Sequence, residues 1–269
     1  MDPASIEKVP VVTSIPAESR YDRPVTRAIR ATLGLMACTA LLAPRADALG
    51  TGGQRAAQLV DPSSLQPPIV WKKIPFGAKR KQQMAAYSQR HYGERTWELT
   101  DPKVVVEHYT DGPSFSSAWN TFAANSLHLG EMPGVCTHFI VDTDGTIYQL
   151  VNLAIRCRHA IGMNWTAIGI EMVGTSEEQI LQRGPQLRAA LELTLWLVAR
   201  FGIEVRNVIG HAETLMSPYH HELYPSWRCL THSDWQHGYM RIFRRKLKRM
   251  ATRAGVPIGP RPQWVDPNC

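Results

Sequence analysis

No CxxC pair occurs anywhere in the 269 residues, so cysteine-clustered zinc fingers are excluded. No apolar stretch reaches the roughly 18 residues that a membrane-spanning helix needs. Internal repeats are lacking too, which removes solenoid and propeller architectures. Acidic residues are in deficit: 23 Asp and Glu stand against 30 Lys and Arg, for a formal net charge of +7. That balance favours an anionic partner, whether nucleic acid, a lipid surface or a polyanionic envelope, and does not choose among them. What is present is ordinary for a globular chain, with 44% hydrophobic and 20% charged residues. The length suits one well-buried domain with dressed ends.

Residues 1–48 read differently from the rest. Arg27 and Arg30 precede an apolar run at 31–43, and Ala46-Asp47-Ala48 follows as a small-x-small cleavage signal. Together these match a secretory signal peptide, so export to the periplasm, envelope or exterior is expected. The leader ahead of Arg27 is far longer than a usual charged region, which points to a start codon further in. Leu35-Met36-Ala37-Cys38 offers a second reading, a lipoprotein box whose lipid on Cys38 would tether the protein to a membrane; a buried amphipathic helix is the third. Of the remaining cysteines, Cys136, Cys157, Cys229 and Cys269, the first two flank a predicted hairpin and form the best disulfide pair in an oxidising compartment. Two separate buried thiols are the alternative.

Residues 49–81, rich in Gly, Pro, Ser and Gln, read as a poorly ordered linker, and the folded domain is placed at 82–252 with 253–269 as a tail. Val104-Val105-Val106 is a β-branched run that predicts a buried strand ending at Glu107-His108. A short helix is expected over 116–127. Strand-like runs at 138–141 and 146–151 are joined by Asp142-Thr143-Asp144-Gly145, a hairpin signal. Residues 168–173 alternate like another strand. After Pro185, the apolar residues Leu187, Leu191, Leu195, Val198 and Phe201 fall at helical spacing, and Gly202 stands where a C-terminal cap would. Residues 205–209 return as a strand into Gly210-His211, and 240–250 form a strongly basic closing helix, most simply a solvated face. Strands alternating with covering helices predict an α/β layered domain with a central mixed β-sheet.

Placement separates the ten histidines. His108 closes one buried strand, and His211 closes another after a glycine that admits close backbone approach. Both would project from the same rim of the sheet, as a pair of zinc ligands would. Zinc hydrolases take three protein ligands and leave the fourth position to water, so a third is needed.

Here the sequence resembles the type 2 N-acetylmuramoyl-L-alanine amidases, relatives of the peptidoglycan recognition proteins and phage lysozyme-amidases, over about residues 82–250. The resemblance is carried in family order by Val106-Glu107-His108-Tyr109-Thr110; by Thr137-His138-Phe139-Ile140-Val141-Asp142 with Asp144-Gly145-Thr146-Ile147-Tyr148-Gln149; by Arg158-His159-Ala160; by Asn164 with Ile168-Gly169-Ile170-Glu171; and by Ile209-Gly210-His211. It implies that fold, a Zn2+ cofactor on His108 and His211, and Glu171 as base for the attacking water. On strand pattern alone, Glu171 would be read as facing solvent.

The family closes its site with Lys-x-Asp or Lys-x-Cys, and here His232-x-Asp234 stands in that place. Asp234 then binds zinc while His232 replaces the lysine near the developing oxyanion; alternatively His232 itself binds, or His220 and His221 do, in a segment at 213–230 that is longer than the family's. Tyr109, His159 and Asn164 occupy positions that line the substrate groove in relatives, and Trp119 and Trp165 could stack on sugar or peptide, their plainer role being core. The resemblance implies hydrolysis of the amide between the lactyl group of N-acetylmuramic acid and L-alanine, in peptidoglycan or muropeptides, by a monomer. A non-catalytic peptidoglycan-binding module is the rival. Nucleic acid is disfavoured, since no groove-reading motif accompanies the charge.

Overall fold

The computed structural model describes residues 60–267, all within one compact unit, Gln54–Cys269. The leader, with its cleavage and lipidation signals, lies outside the described residues. A six-stranded sheet runs in the order β1-β4-β3-β5-β2-β6. Its strands are β1 (Val70–Trp71), β2 (Val104–Tyr109), β3 (Phe139–Val141), β4 (Ile147–Gln149), β5 (Ala167–Met172) and β6 (Val208–Gly210). β3, β5, β2 and β6 are mutually parallel, whereas β4 is the antiparallel arm of the β3–β4 hairpin. The mixed α/β sheet is therefore as the residue pattern implies.

Helices α1 (Ala78–Tyr92), α2 (Phe115–Ala124), α3 (Glu177–Gln182), α4 (Gly184–Phe201) and α5 (His237–Ala254) surround it. Alternation along the central strands divides the side chains between two faces. Val105, Ile168, Ile170 and Met172 pack with Leu187, Ala190, Leu197 and Val198 of α4 and with Met240, Phe243 and Leu247 of α5. On the other face, Val104, Val106, Ala167 and Ile209 form a smaller cluster with Ala160 and Met163. Burying both faces explains why β5 is enclosed at every position, Glu171 included.

Several boundaries differ from the sequence reading. The described part of the expected linker packs as structure: Val60, Leu65 and Ile69 lie against the α4 core, and β1 pairs with β4 at the sheet edge. Its Pro- and Ser-rich composition conceals apolar residues spaced to cover the outer side of α4. The strand expected over 205–209 begins only at Val208, because Val205–Asn207 make a 3-10 turn whose Val205 N–H donates to the Ile258 carbonyl of the tail. The tail likewise packs, through Val256 and Ile258. Cys136 and Cys157 are joined by a disulfide, and Cys229 is disulfide-bonded as well.

Candidate active site

The register of the parallel strands assembles the site. His108 on β2 is paired directly with Glu171 on β5, so the two side chains leave the same face of adjacent strands. On the other side of β2, Glu107 is paired with Gly210, which puts His211 just beyond the end of β6. All three residues lie at the C-terminal rim of the parallel strands, where α/β sheets hold their ligands. Asp234 reaches them from the loop before α5. A Cβ on Gly210 would lie 1.8 Å from the Trp235 carbonyl oxygen, so only glycine permits that loop to close on β6. The Ala212 N–H then donates to the Asp234 carbonyl at 2.9 Å.

Asp234 spans the two imidazoles. Its Oδ2 is 3.2 Å from His108 Nδ1 and its Oδ1 is 3.2 Å from His211 Nδ1. The donor atoms of His108, His211 and Asp234 all lie within 4.8 Å of one another, and all three residues are buried. Burial opposes ionisation of Asp234, but the two adjoining imidazoles outweigh it and hold the carboxyl well below the usual range. Burial, reinforced by the neighbouring His211, pushes His108 down to about 4, leaving it neutral at neutral pH.

Its tautomer follows from the next ring. His159 Nε2 lies 3.3 Å from the Ala167 carbonyl, which can only accept. Burial, and then the rings of His108 and His138, hold His159 neutral, so its proton is on Nε2 and its Nδ1 accepts. His108 Nε2, 3.1 Å away, must therefore donate, which leaves the Nδ1 lone pair of His108 facing Asp234. Two acceptors facing each other at this distance repel unless a cation lies between them. Gly169 makes room for the arrangement, because a Cβ there would stand 2.7 Å from the His159 ring.

A cavity of about 460 Å³ opens over this cluster, lined also by Tyr109, Glu171, His232, His128 and Arg158. Glu171 Oε2 is buried without a hydrogen-bond partner. Burial, with the Asp234 charge adding to it, raises its carboxyl well above the usual range. The His232 ring stacks on His211 at 4.8 Å and 13°. Burial, then His211, lowers its pKa.

Other expected residues fall elsewhere. Asn164 is fully buried and does not line the cavity: its Oδ1 accepts from the N–H groups of His159 and Ala160, and its amide donates to Tyr92 Oη. Those bonds fix the loop that carries His159, so its position near the site is one of support. His220 and His221 line a separate cavity with Tyr92 and Trp165, away from the cluster. Trp119, on α2, donates its indole N–H to the Lys72 carbonyl and packs, partly buried, against the core cluster beneath that helix.

Sequence reasoning passed over two residues that shape the site. Glu213, fully buried, receives two bonds from Arg244, at 2.6 and 2.8 Å, one from His237 Nδ1 and one from the Gly210 N–H. It clamps the turn that presents His211. Arg158 donates to the carbonyls of His128, Glu131 and Pro133, holding one wall of the cavity. Arg158 sits inside a family motif, whereas nothing local in sequence ties Glu213 to an arginine on α5.

These features define a metal-competent hydrolytic site at the rim of a mixed α/β sheet. Residues 98–223 match the family described as N-acetylmuramoyl-L-alanine amidase. The match takes in His108, Glu171 and His211 and ends before His232 and Asp234. No curated protein sequence matches significantly. Solved structures similar to this chain include the endolysin amidase LysCS from Clostridium intestinale (22% identity, 54% of this chain and 82% of that one, TM-score 0.37). The amidase AmiD from E. coli, solved with anhydro-N-acetylmuramic acid-L-Ala-D-gamma-Glu-L-Lys, shares 25% identity over 42% of this chain and 49% of its own, TM-score 0.34. A mutant endolysin from Bacillus subtilis shares 21% over 72% of this chain and 100% of its own, TM-score 0.37.

Proposed function

We propose that the protein is an exported, zinc-dependent N-acetylmuramoyl-L-alanine amidase acting on the lactyl–alanine amide of peptidoglycan or its muropeptides. The observation that carries this reading is the convergence of His108 Nδ1, His211 Nδ1 and the Asp234 carboxylate beside a buried Glu171. Two imidazole nitrogens and one carboxylate oxygen are a donor set that catalytic zinc takes, so the residues fit the ion. Zinc held there would supply Lewis acidity toward the scissile carbonyl and would bring the pKa of water down to about 7.

The chain's own residues handle the protons. Burial gives Glu171 a proton affinity above that of a solvated carboxylate, suiting it to take a proton from the attacking water and return one to the alanine nitrogen as the amide breaks. His232, held against His211, offers an N–H to the carbonyl oxygen as negative charge develops, in the place of the family's lysine. Tyr109 borders the cavity as a contact for substrate, and His159 holds His108 from below.

Mass spectrometry of muropeptides after incubation with the protein tests this. Release of stem peptide with a free alanine amine, abolished by a chelator and by a zinc-retaining Glu171→Gln variant, is expected. Zinc-loaded protein that binds walls and leaves muropeptides intact would establish the binding module instead.

A further inference from the structure

Outside the active site, α5 and the tail beyond it enclose a groove of about 870 Å³. One wall is the row Arg241, Arg245, Lys248 and Arg249, and the other carries Arg261 and Trp264. No acidic residue lines it. Among the described residues, none of these five cations takes part in an ion pair, whereas Arg244 beneath them is committed to Glu213. Residues four apart on a helix stand about 6 Å apart along its axis, so Arg241, Arg245 and Arg249 form a regular charge row. A row of this kind suits a ligand with regularly repeated negative charge better than one isolated anion.

Two alternatives fit less well. A membrane-surface helix would need a free apolar face, and that of α5, through Met240, Phe243, Leu247 and Ala251, is buried in the core. A single-stranded nucleic acid would need successive aromatic platforms; the groove offers only Trp264, whose ring is already met by His237 at 5.6 Å and the Arg244 guanidinium at 5.4 Å.

We propose that this groove binds an anionic polyol-phosphate strand of the cell wall. The phosphodiester chemistry stands on the groove alone, and the choice of the wall as its source rests on the amidase reading.

The test is isothermal titration calorimetry of the full-length protein with poly(glycerol phosphate), at low and at physiological salt. Binding that weakens steeply with salt is expected, and Arg245→Glu with Lys248→Glu should reduce affinity by about tenfold or more. Lys246→Glu with Arg253→Glu removes equal charge from exposed positions of α5 outside the groove and should change affinity by less than about threefold. Arg261→Gln, on the opposite wall, provides a second probe independent of the helix and should also weaken binding.

Equal losses in both charge-reversed pairs would reduce the effect to diffuse charge and overturn the proposal. So would absence of binding, or tighter binding of oligothymidylate or of phosphatidylglycerol vesicles. Turnover of a soluble muropeptide is measured in parallel. Binding without turnover would overturn the amidase reading and keep the groove; turnover without binding would do the reverse.

Discussion

His108 donates its Nε2 proton to His159 Nδ1 across 3.1 Å, and this bond decides which nitrogen of His108 is left for a metal. Supporting partners of this kind orient a ligand ring and fix its tautomer. His159→Ala is therefore expected to weaken zinc affinity by about 10- to 100-fold while the fold persists. His159→Gln, whose side-chain carbonyl can accept the same proton, should recover part of the loss. Competition with a chromophoric chelator measures both. Equal affinity in the alanine variant and the parent would show that the ring merely fills space.

Asp234 and His232 separate metal binding from turnover. Asp234 sits between both imidazoles, whereas His232 only stacks on one of them. Asp234→Ala should lose stoichiometric zinc. His232→Ala should keep it and lower kcat, with His232→Lys restoring a cationic donor. An activity loss of about 10²–10³-fold is the scale for one oxyanion donor. Metal analysis beside muropeptide kinetics reads the two effects independently; full zinc in Asp234→Ala would return the third-ligand role to His232.

Much of this site was legible in the chain. The β-branched run before His108 and the glycine before His211 both foretell strand ends at one rim, and the register bears that out. Asp234 was harder to single out, because what brings it in is a loop closing over Gly210, a contact between backbones that leaves no periodic trace. Asn164 reads as a groove residue from its motif alone, yet its amide is consumed by the backbone of His159 and Ala160. Composition misled at residues 60–77, where prolines and serines surround the few apolar side chains that cover α4.

The turn that carries His211 depends on a buried ion pair. Glu213 and Arg244 are both enclosed, so removing one partner strands the other's charge. Arg244→Ala is expected to cost about 3–5 kcal/mol in chemical denaturation. Arg244→Met, which refills the space without the charge, should destabilise comparably, because Glu213 remains uncompensated. A loss under about 1 kcal/mol in both would mean that His237 and the Gly210 N–H together satisfy the carboxylate.

The disulfide between Cys136 and Cys157 closes a sequence separation of 21 residues within the core beneath α2. A loop of about that length restrains the unfolded chain by roughly 3 kcal/mol. Replacing both cysteines by alanine should lower unfolding stability by about that amount, with amidase activity retained at low temperature. Indifference of the midpoint to the double replacement would count against the bond's contribution.

Glu107 gives a pH signature on the opposite side of β2. Its carboxyl is fully buried, and burial pushes its pKa up to about 8. The Thr194 hydroxyl lies 2.8 Å from both Glu107 Oε1 and the Ala190 carbonyl. A carbonyl can only accept, so the single hydroxyl proton goes to Ala190 and a protonated Glu107 donates to the Thr194 oxygen. The folded protein thus keeps a proton that the unfolded chain releases above about pH 4.3. Stability from this group therefore declines as pH rises from that value toward 8, by on the order of 1 kcal/mol per pH unit. Glu107→Gln, which donates to Thr194 at any pH, removes that slope. Urea unfolding of both proteins between pH 5 and 8 should show the variant gaining on the parent as pH rises; parallel curves would mean that Glu107 is ionised in the fold.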